Sequence, residues 1–371
     1  MDAIEQAIER RVLESACHWF PDRVKPATVR LRQLSSRPRS LLYAVHLDDH
    51  GSPQVLAKVR RGQPGAGDEA GPGSRPRLAA DPLGDDELTA LEYSGLRDIF
   101  ATFGTSDASF RAIRPLDHLE AENTILMEYL DACTLRQTLL AQSRLPPRRR
   151  PAADPLEGRM WRLAGSWLRT FQRSLPHEDL APRQQRRVDV VERFGAYDEF
   201  LTGRLGARSF GDLARRGAEL AAAVLPERLP TAVGHGDYAP RNVFTGPDGR
   251  LTVFDPMPRW AVPCYEDLCR FLVGMRLVGL QIHTHGLAYA RPDLERREQE
   301  VISGYFGADE VPLAPLRAYQ LLIMLDKWSA LVDSDQRGWR PRLRTSSVEI
   351  ASGYLRTEAR RLLSAGVGAL G

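Results

Sequence analysis

Lysine is almost missing from this chain. Of 51 basic residues among 371, three are lysine (Lys25, Lys58 and Lys327) and 48 are arginine. The arginines interleave with 48 acidic residues and leave a net charge of only +3, so no basic stripe forms and no nucleic-acid partner is expected. Four cysteines (Cys17, Cys133, Cys264, Cys269) show no Cys-x-x-Cys spacing and no paired framework, which excludes a disulfide scaffold and a zinc knuckle and leaves free thiols. No apolar run approaches a membrane span, and Met1-Asp2-Ala3-Ile4-Glu5 is charged without an apolar signal core. A cytoplasmic chain with no membrane partner is the expectation. No Gly-x4-Gly-Lys-Ser/Thr is present, so a standard P-loop is excluded. Two dinucleotide-fingerprint matches fail on context. Gly65-Ala66-Gly67-Asp68-Glu69-Ala70 runs into Gly71-Pro72-Gly73-Ser74 where a helix would have to start, and Gly366-Val367-Gly368-Ala369-Leu370-Gly371 has no following chain from which to build the fold.

With 43% hydrophobic and 27% charged residues, a chain of this length buries a sizeable core and splits into two domains or lobes. Ile4, Ala7, Ile8, Val12 and Ala16 recur at a helical period, predicting an amphipathic helix over 2–20 that covers one face of a sheet. Three strands follow at 29–34, 41–47 and 54–59, the last two joined by the turn Asp48-Asp49-His50-Gly51-Ser52-Pro53. Residues 61–85 are rich in Gly, Pro and small side chains without periodicity, predicting a flexible insertion. A helix at 87–100 and strands at 109–116 and 123–128 come next. The pattern then turns helical at 134–142, 157–174, 188–205 and 210–224, and again at 292–305, 315–332 and 346–363. Sheet first and helices later predicts an α+β fold: a small antiparallel-sheet lobe over 1–128 and a large, mostly helical lobe over 129–371.

The chemistry concentrates in 235–255. His235-Gly236-Asp237-Tyr238-Ala239-Pro240-Arg241-Asn242 leads into a short strand, an Asp-Gly turn at Asp248-Gly249, and a second strand, Leu251-Thr252-Val253-Phe254, ending in Asp255. Phosphoryl transfer needs positioning and charge neutralisation more than covalent help. A carboxylate orients the acceptor hydroxyl and takes its proton, and oxygen ligands hold the metal that bridges the phosphates. Asp237 suits the first role; Asn242 and Asp255, set one hairpin apart, suit the second.

His-x-Asp-x4-Asn followed by a strand ending in Asp resembles the catalytic and metal-binding loops of the protein-kinase-like fold. The His-Gly-Asp form is similar to the aminoglycoside phosphotransferase and choline kinase branch, whose members phosphorylate small molecules. The resemblance spans 29–272 in order and implies a nucleotide-binding lobe followed by a catalytic and acceptor-binding lobe. It makes Lys58, near the end of the third strand, the lysine that pairs with nucleotide phosphates. Leu91-Glu92-Tyr93-Ser94-Gly95-Leu96 resembles the helix that carries the lysine's carboxylate partner, which makes Glu92 that partner, with Glu87 as rival. Glu128, Tyr129 and Leu130 fall where a hinge backbone pairs with adenine, and Asp267 where an acid braces the catalytic loop. The implied cofactors are ATP or GTP and magnesium.

Two departures matter. Where protein kinases carry a glycine-rich loop, this chain has Ser35-Ser36-Arg37-Pro38-Arg39-Ser40, so Ser36 hydroxyl, backbone amides and an arginine are left to grip phosphate. Pro256-Met257 replaces Phe-Gly after Asp255. For the acceptor, acids and arginines balance from Val273 onward, with basic residues at Arg337, Arg340, Arg342 and Arg344. That favours a sugar, nucleoside or glycan over a polycationic aminoglycoside. Trp260, Trp328 and Trp339 are candidates to stack on a ring, and His283 and His285 to line the cleft. An alternative is a nucleotide-binding regulatory protein without catalysis; protein-kinase activity is disfavoured by Gly236 and by the lack of an activation segment.

Overall fold

The computed structural model describes residues 2–37, 40–48, 51–62, 74–78, 83–104, 107–143, 155–206, 210–335 and 341–369. The chain divides into two compact units. The first takes in Met1–Glu69, Asp81–Ala132 and Gly246–Pro258; the second Ala70–Ala80, Cys133–Thr245 and Arg259–Gly371.

In the first unit, β1 (Val29–Arg37), β2 (Ser40–Leu47), β3 (Val55–Arg60), β4 (Pro115–Leu119) and β5 (Thr124–Glu128) form an antiparallel sheet in the order β1-β2-β3-β5-β4. The helix α1 (Ala3–Trp19) is started by a capping box in which Asp2 and Glu5 bond each other's backbone amides. Its buried stripe of Ala7, Ile8, Val12, Ala16 and Trp19 packs with Val55, Ala57 and Val59 of β3 in one apolar cluster. Strand residues alternate between faces, so the same register turns Lys58 and Arg60 to the opposite side. There α2 (Asp85–Phe103) supplies Glu92. The strand expected at 109–116 starts later, at Pro115. Residues 109–111 instead bond along β10 (Leu251–Val253), Leu251 N–H to Ser109 O and Arg111 N–H to Leu251 O, both at 2.9 Å.

The second unit is mostly helical. It comprises α3 (Leu135–Gln142), α4 (Pro155–Ser174), α5 (Arg187–Leu205), α6 (Leu213–Val224), α7 (Tyr265–Arg276), α8 (Arg291–Phe306), α9 (Leu313–Asp335) and α10 (Pro341–Gly368). The first helix is capped by Thr134, whose hydroxyl accepts from Gln137 N–H at 3.0 Å. Two small sheets join the helices. In one, β6 (Cys133–Thr134) pairs with β9 (Val243–Thr245). In the other, β11 (Trp260–Pro263) lies between β7 (Ala181–Pro182) and β8 (Thr231–Val233). Residues 74–78 of the 61–85 insertion are anchored in this unit: the Arg75 guanidinium bonds Asp326 and Ser329 at 3.1 Å, and Leu78 is buried. The fingerprint-like run 65–70 lies outside the described residues, as do Arg337, Trp339, Arg340 and the side chains of Arg342 and Arg344.

Buried charge ties the later helices together. Glu298 of α8 accepts from Arg276 of α7 and from Arg317 and Gln320 of α9, and Arg276 also reaches Glu358 of α10 at 2.8 Å. The helices α4 and α8 cross at two glycines. A Cβ on Gly165 would collide with Val301 O, and one on Gly304 with Arg162 O, so each backbone sits where the other's side chain would be. Gly304→Ala is expected to force the helices apart and lower unfolding free energy by about 1–3 kcal/mol or more. Chemical denaturation measures it; an unchanged midpoint would mean the crossing relaxes freely.

Candidate active site

In the first unit a buried ammonium organises the site. Lys58 is 6% exposed, and its Nζ lies 2.6 and 2.8 Å from the two carboxylate oxygens of Glu92, which is itself 0% exposed. Its other carboxylate partner is Asp255, and the ring of Phe254 lies 5.2 Å from the same nitrogen. Arg60 adds a second cation to Glu92 at 2.5 Å. Glu87, the rival, accepts from Gly84 N–H at 3.0 Å and caps its own helix. Burial alone pushes the Lys58 ammonium toward neutrality, but Asp255 and Glu92 outweigh it and its pKa rises. Glu92 is raised by burial, and Asp255 is lowered because Lys58's charge and hydrogen bond overcome the burial that opposes them.

Asp255 follows β10 with φ 59°, in the left-handed region that Asp tolerates better than most residues. Gly95 of α2 lies where a Cβ would come within 2.8 Å of Pro258 Cδ and 3.2 Å of Pro256 Cγ. The absence of a side chain there lets the Asp255–Pro258 segment lie directly on the helix that carries Glu92.

At the hinge-like segment, Glu128 N–H donates to Arg114 O at 2.9 Å, Tyr129 N–H donates to Gln54 O at 3.0 Å, and the Glu128 carboxylate pairs with Arg111. Leu130 follows, half-buried. Ser36 lies on β1 opposite Leu41, and Pro38 and Arg39 beyond it are outside the described residues.

In the second unit the loop 234–242 leaves the end of β8. Gly236 has φ 82°, a conformation that disfavours any side chain, which gives the Gly of His-Gly-Asp a backbone reason. Asp267, in the first turn of α7, receives His235 N–H at 2.5 Å and Gly236 N–H at 3.3 Å. His235 is fully buried against Trp167, Phe171 and Tyr238, with ring centroids 5.5–5.9 Å apart. Tyr238 stacks between Trp167 and Phe271 and donates its hydroxyl to Ala164 O at 2.6 Å. Trp167, Phe171, Tyr238 and Phe271 are residues that sequence reasoning missed. Trp167 and Phe171 lie one turn apart on α4, an ordinary core pattern, while Tyr238 comes from the loop and Phe271 from α7.

On this seat Asp237 is 40% exposed at its side chain while Asn242 is 3% exposed. Asn242 Nδ2 donates to Asp237 Oδ2 at 2.8 Å and to Asp237 O at 2.9 Å, and Arg241 bonds Oδ1. The amide's donor end is thus committed and its oxygen end is the one left for a metal. The structure therefore brings Lys58, Glu92 and Asp255 together in one unit, and Asp237 with Asn242 in the other. Trp328 is a core residue, bonding Ser352 Oγ at 2.9 Å and edge-on to Phe210, so it is no stacking platform. Trp260 is half-buried under Arg259, and His283 and His285 are exposed. Among the described residues no group of three or more His, Cys, Asp or Glu is placed to hold a metal, all four cysteines are free, and no helix is long and apolar enough to cross a membrane.

No protein-family model and no curated protein sequence matches the chain. Its likeness is to solved structures. A choline/ethanolamine kinase family protein from Mesorhizobium loti matches over 96% of this chain and 98% of that one, at 14% identity and TM-score 0.55. A spectinomycin phosphotransferase, solved with ADP and spectinomycin, matches over 97% and 98%, at 14% identity and TM-score 0.51. The Plasmodium vivax ethanolamine kinase matches over 94% and 89%, at 10% identity and TM-score 0.55. The chain has the α+β, two-lobed kinase-like fold of these choline kinase and antibiotic phosphotransferase structures.

Asp267 gives the seat a pH dependence. Burial, then the neighbouring Glu266 carboxylate, push it from 3.8 up to about 6, against Arg270 and the His235 amide. Between those values the folded chain keeps a proton that the unfolded chain releases, so stability falls as pH rises through the window, by about 3 kcal/mol in all. Asp267→Asn is neutral throughout and is expected to lose that slope. Urea unfolding of both proteins at about pH 4.5 and about pH 7.5 measures the difference; parallel profiles would assign the proton elsewhere.

Proposed function

We propose that this chain is a phosphotransferase that moves the γ-phosphoryl group of ATP or GTP to a hydroxyl of a small molecule. The observation that carries the reading is the Asp237 carboxylate: half-exposed, held from below by a buried asparagine, on a loop whose backbone is pinned by Asp267. A binding module has no use for a carboxylate presented this way, whereas a general base needs it. The full-length likeness to kinases and phosphotransferases of small alcohols agrees.

Asp237 orients the acceptor hydroxyl and takes its proton. The acceptor oxygen forms a bond to the γ-phosphorus while the bond to the β,γ-bridging oxygen breaks, and the electron pair leaves with the nucleoside diphosphate. Lys58 neutralises phosphate charge, and Glu92 holds its ammonium in place. Hinge backbone from Leu130 onward receives the base, since the Glu128 and Tyr129 amides are already committed to the sheet. Ser36, on β1, is the serine proposed to contact phosphate. Each unit offers a hard oxygen donor of the kind magnesium takes, the Asp255 carboxylate in the first and the Asn242 amide oxygen in the second. When bound, magnesium supplies charge neutralisation at the phosphates. Among acceptors, an uncharged or anionic alcohol fits the Arg-rich second unit better than a polycation.

Asp237→Asn is expected to bind Mg-ATP normally and to lose turnover by a factor of about 10²–10⁴. Asp255→Ala is expected to abolish magnesium-dependent nucleotide binding in a thermal-shift assay. A screen of sugars, nucleosides and aminoglycosides for phosphorylated product reads transfer directly. Nucleotide binding with no product from any hydroxyl would instead support a regulatory binder, and near-normal turnover by Asp237→Asn would remove the base assignment.

A further inference from the structure

The second unit holds a cavity of about 950 Å³, the size of a small-molecule site. Its walls are the last turns of α4 and α8, the segments that follow them, the start of β8 and the start of α7. Asp237, Arg241 and Asn242 are not part of the wall. The cavity meets β8 at Thr231, and the loop 234–242 leaves the other end of that strand. The floor is polar and fixed: Gln172 and Tyr305 are each 6% exposed, the Tyr305 hydroxyl donates to Gln172 Oε1 at 2.6 Å, and Gln172 Nε2 donates to Cys264 O at 3.3 Å. The Cys264 thiol donates to Pro230 O at 3.1 Å, and burial pushes its pKa up to about 11, so at neutral pH it stays protonated and unreactive.

The charges of the wall do not cancel. Arg169 is committed, with Nη1 donating to Tyr305 O at 2.8 Å and Phe306 O at 3.3 Å and Nη2 to Asp309. Arg173, 69% exposed, comes no closer to Asp309 than 4.0 Å. Against these two guanidiniums stand three carboxylates, Asp309, Glu310 and Glu178, and Glu310 makes no ion pair among the described residues. His177 donates its backbone N–H to Glu178 at 3.1 Å. Three aromatic rings, Tyr265, Tyr305 and Phe306, face the same space, and the Arg169 guanidinium already lies 6.0 Å from the centre of the Tyr305 ring.

We propose that this cavity binds an organic cation, an ammonium group bearing apolar substituents, at a site separate from Asp237. The rings cover the apolar body and attract its charge, and the surplus carboxylate neutralises it. An anion of the same shape is repelled by that carboxylate, and a neutral molecule leaves it unmatched. Two elements join the site to the loop that carries Asp237. Cys264 and Tyr265 open α7, whose Asp267 holds the His235 and Gly236 amides, and Thr231 and Ala232 open the strand that runs into the loop.

Calorimetric titration of the full chain with tetramethylammonium tests the proposal, since this probe has no hydroxyl and cannot serve as a phosphoryl acceptor. One ion is expected to bind, about tenfold or more tightly than pivalamide or pivalate, which present the neutral and anionic forms of a similar shape. Glu310→Gln and Tyr265→Leu are each expected to weaken it about threefold to thirtyfold, Tyr265→Phe to leave it within about twofold, and Asp237→Asn to leave it unchanged. Amide hydrogen exchange in the bound chain is expected to slow at 305–312 and 264–267. No binding, equal binding of pivalate, or protection confined to 237–242 overturns the site, as does an affinity that falls with Asp237→Asn and ignores Glu310→Gln. None of these readings needs phosphoryl transfer, so their failure leaves the proposed reaction standing, and a chain that transfers no phosphate can still bind the ion.

Discussion

The ammonium of Lys58 is the constraint on which the first unit is built. A charge placed on an interior strand face is tolerated only with charged partners, and here two carboxylates from segments far apart in sequence converge on one nitrogen. That requirement fixes much of what surrounds it. The parity of β3 must send Ala57 and Val59 toward α1 so that Lys58 faces α2. Glu92 must be fully buried on that helix, and Gly95, one turn on, must be bare so that the segment carrying Asp255 lies close enough. The left-handed backbone at Asp255 belongs to the same requirement, because a locally unfavourable φ persists only where surrounding contacts determine it.

The second unit solves a different problem, which is to present a carboxylate to solvent without letting it move. The loop 234–242 has little secondary structure of its own. Rigidity comes from two sources: Asp267 takes the His235 and Gly236 amides, and aromatic rings enclose His235 and Tyr238 on the inner side. The polar work and the packing alternate along the chain, His235 and Tyr238 inward, Gly236 and Asp237 outward. A substitution in the aromatic seat, at Trp167 for example, would therefore act on the placement of Asp237 through the loop.

Much of this was legible in the sequence. The α1 stripe, the three leading strands and the long helices have clean periods, and their boundaries in the structure differ by a few residues. Lys58, Glu92 and Asp255 were singled out by the resemblance to a known motif, and the structure brings them together, but the choice between Glu87 and Glu92 needed the helix start at Asp85, which turns Glu87 into a cap. The three- and four-residue strands β8 and β11 are too short to carry a period, although one of them launches the loop. The strand expected at 109–116 was misplaced because its apolar residues serve β10, and Pro115, which has no N–H, begins the sheet strand. Arg241 passed unnoticed as a variable position inside the motif, since nothing in spacing reveals which way a side chain turns.

The imbalance of arginine over lysine takes on meaning at this level. Arginine does the structural joining: Arg276 and Arg317 bring α7 and α9 to Glu298 of α8, and Arg183 and Arg270 both bond Glu266 Oε1. A guanidinium so fixed stays charged and cannot easily be released. Lysine is a compact point charge on a flexible stem that responds to its surroundings, and Lys58, the buried one, stands among carboxylates. A planar fork would fit the place of Lys58 worse, because one nitrogen there meets carboxylates from two separate segments.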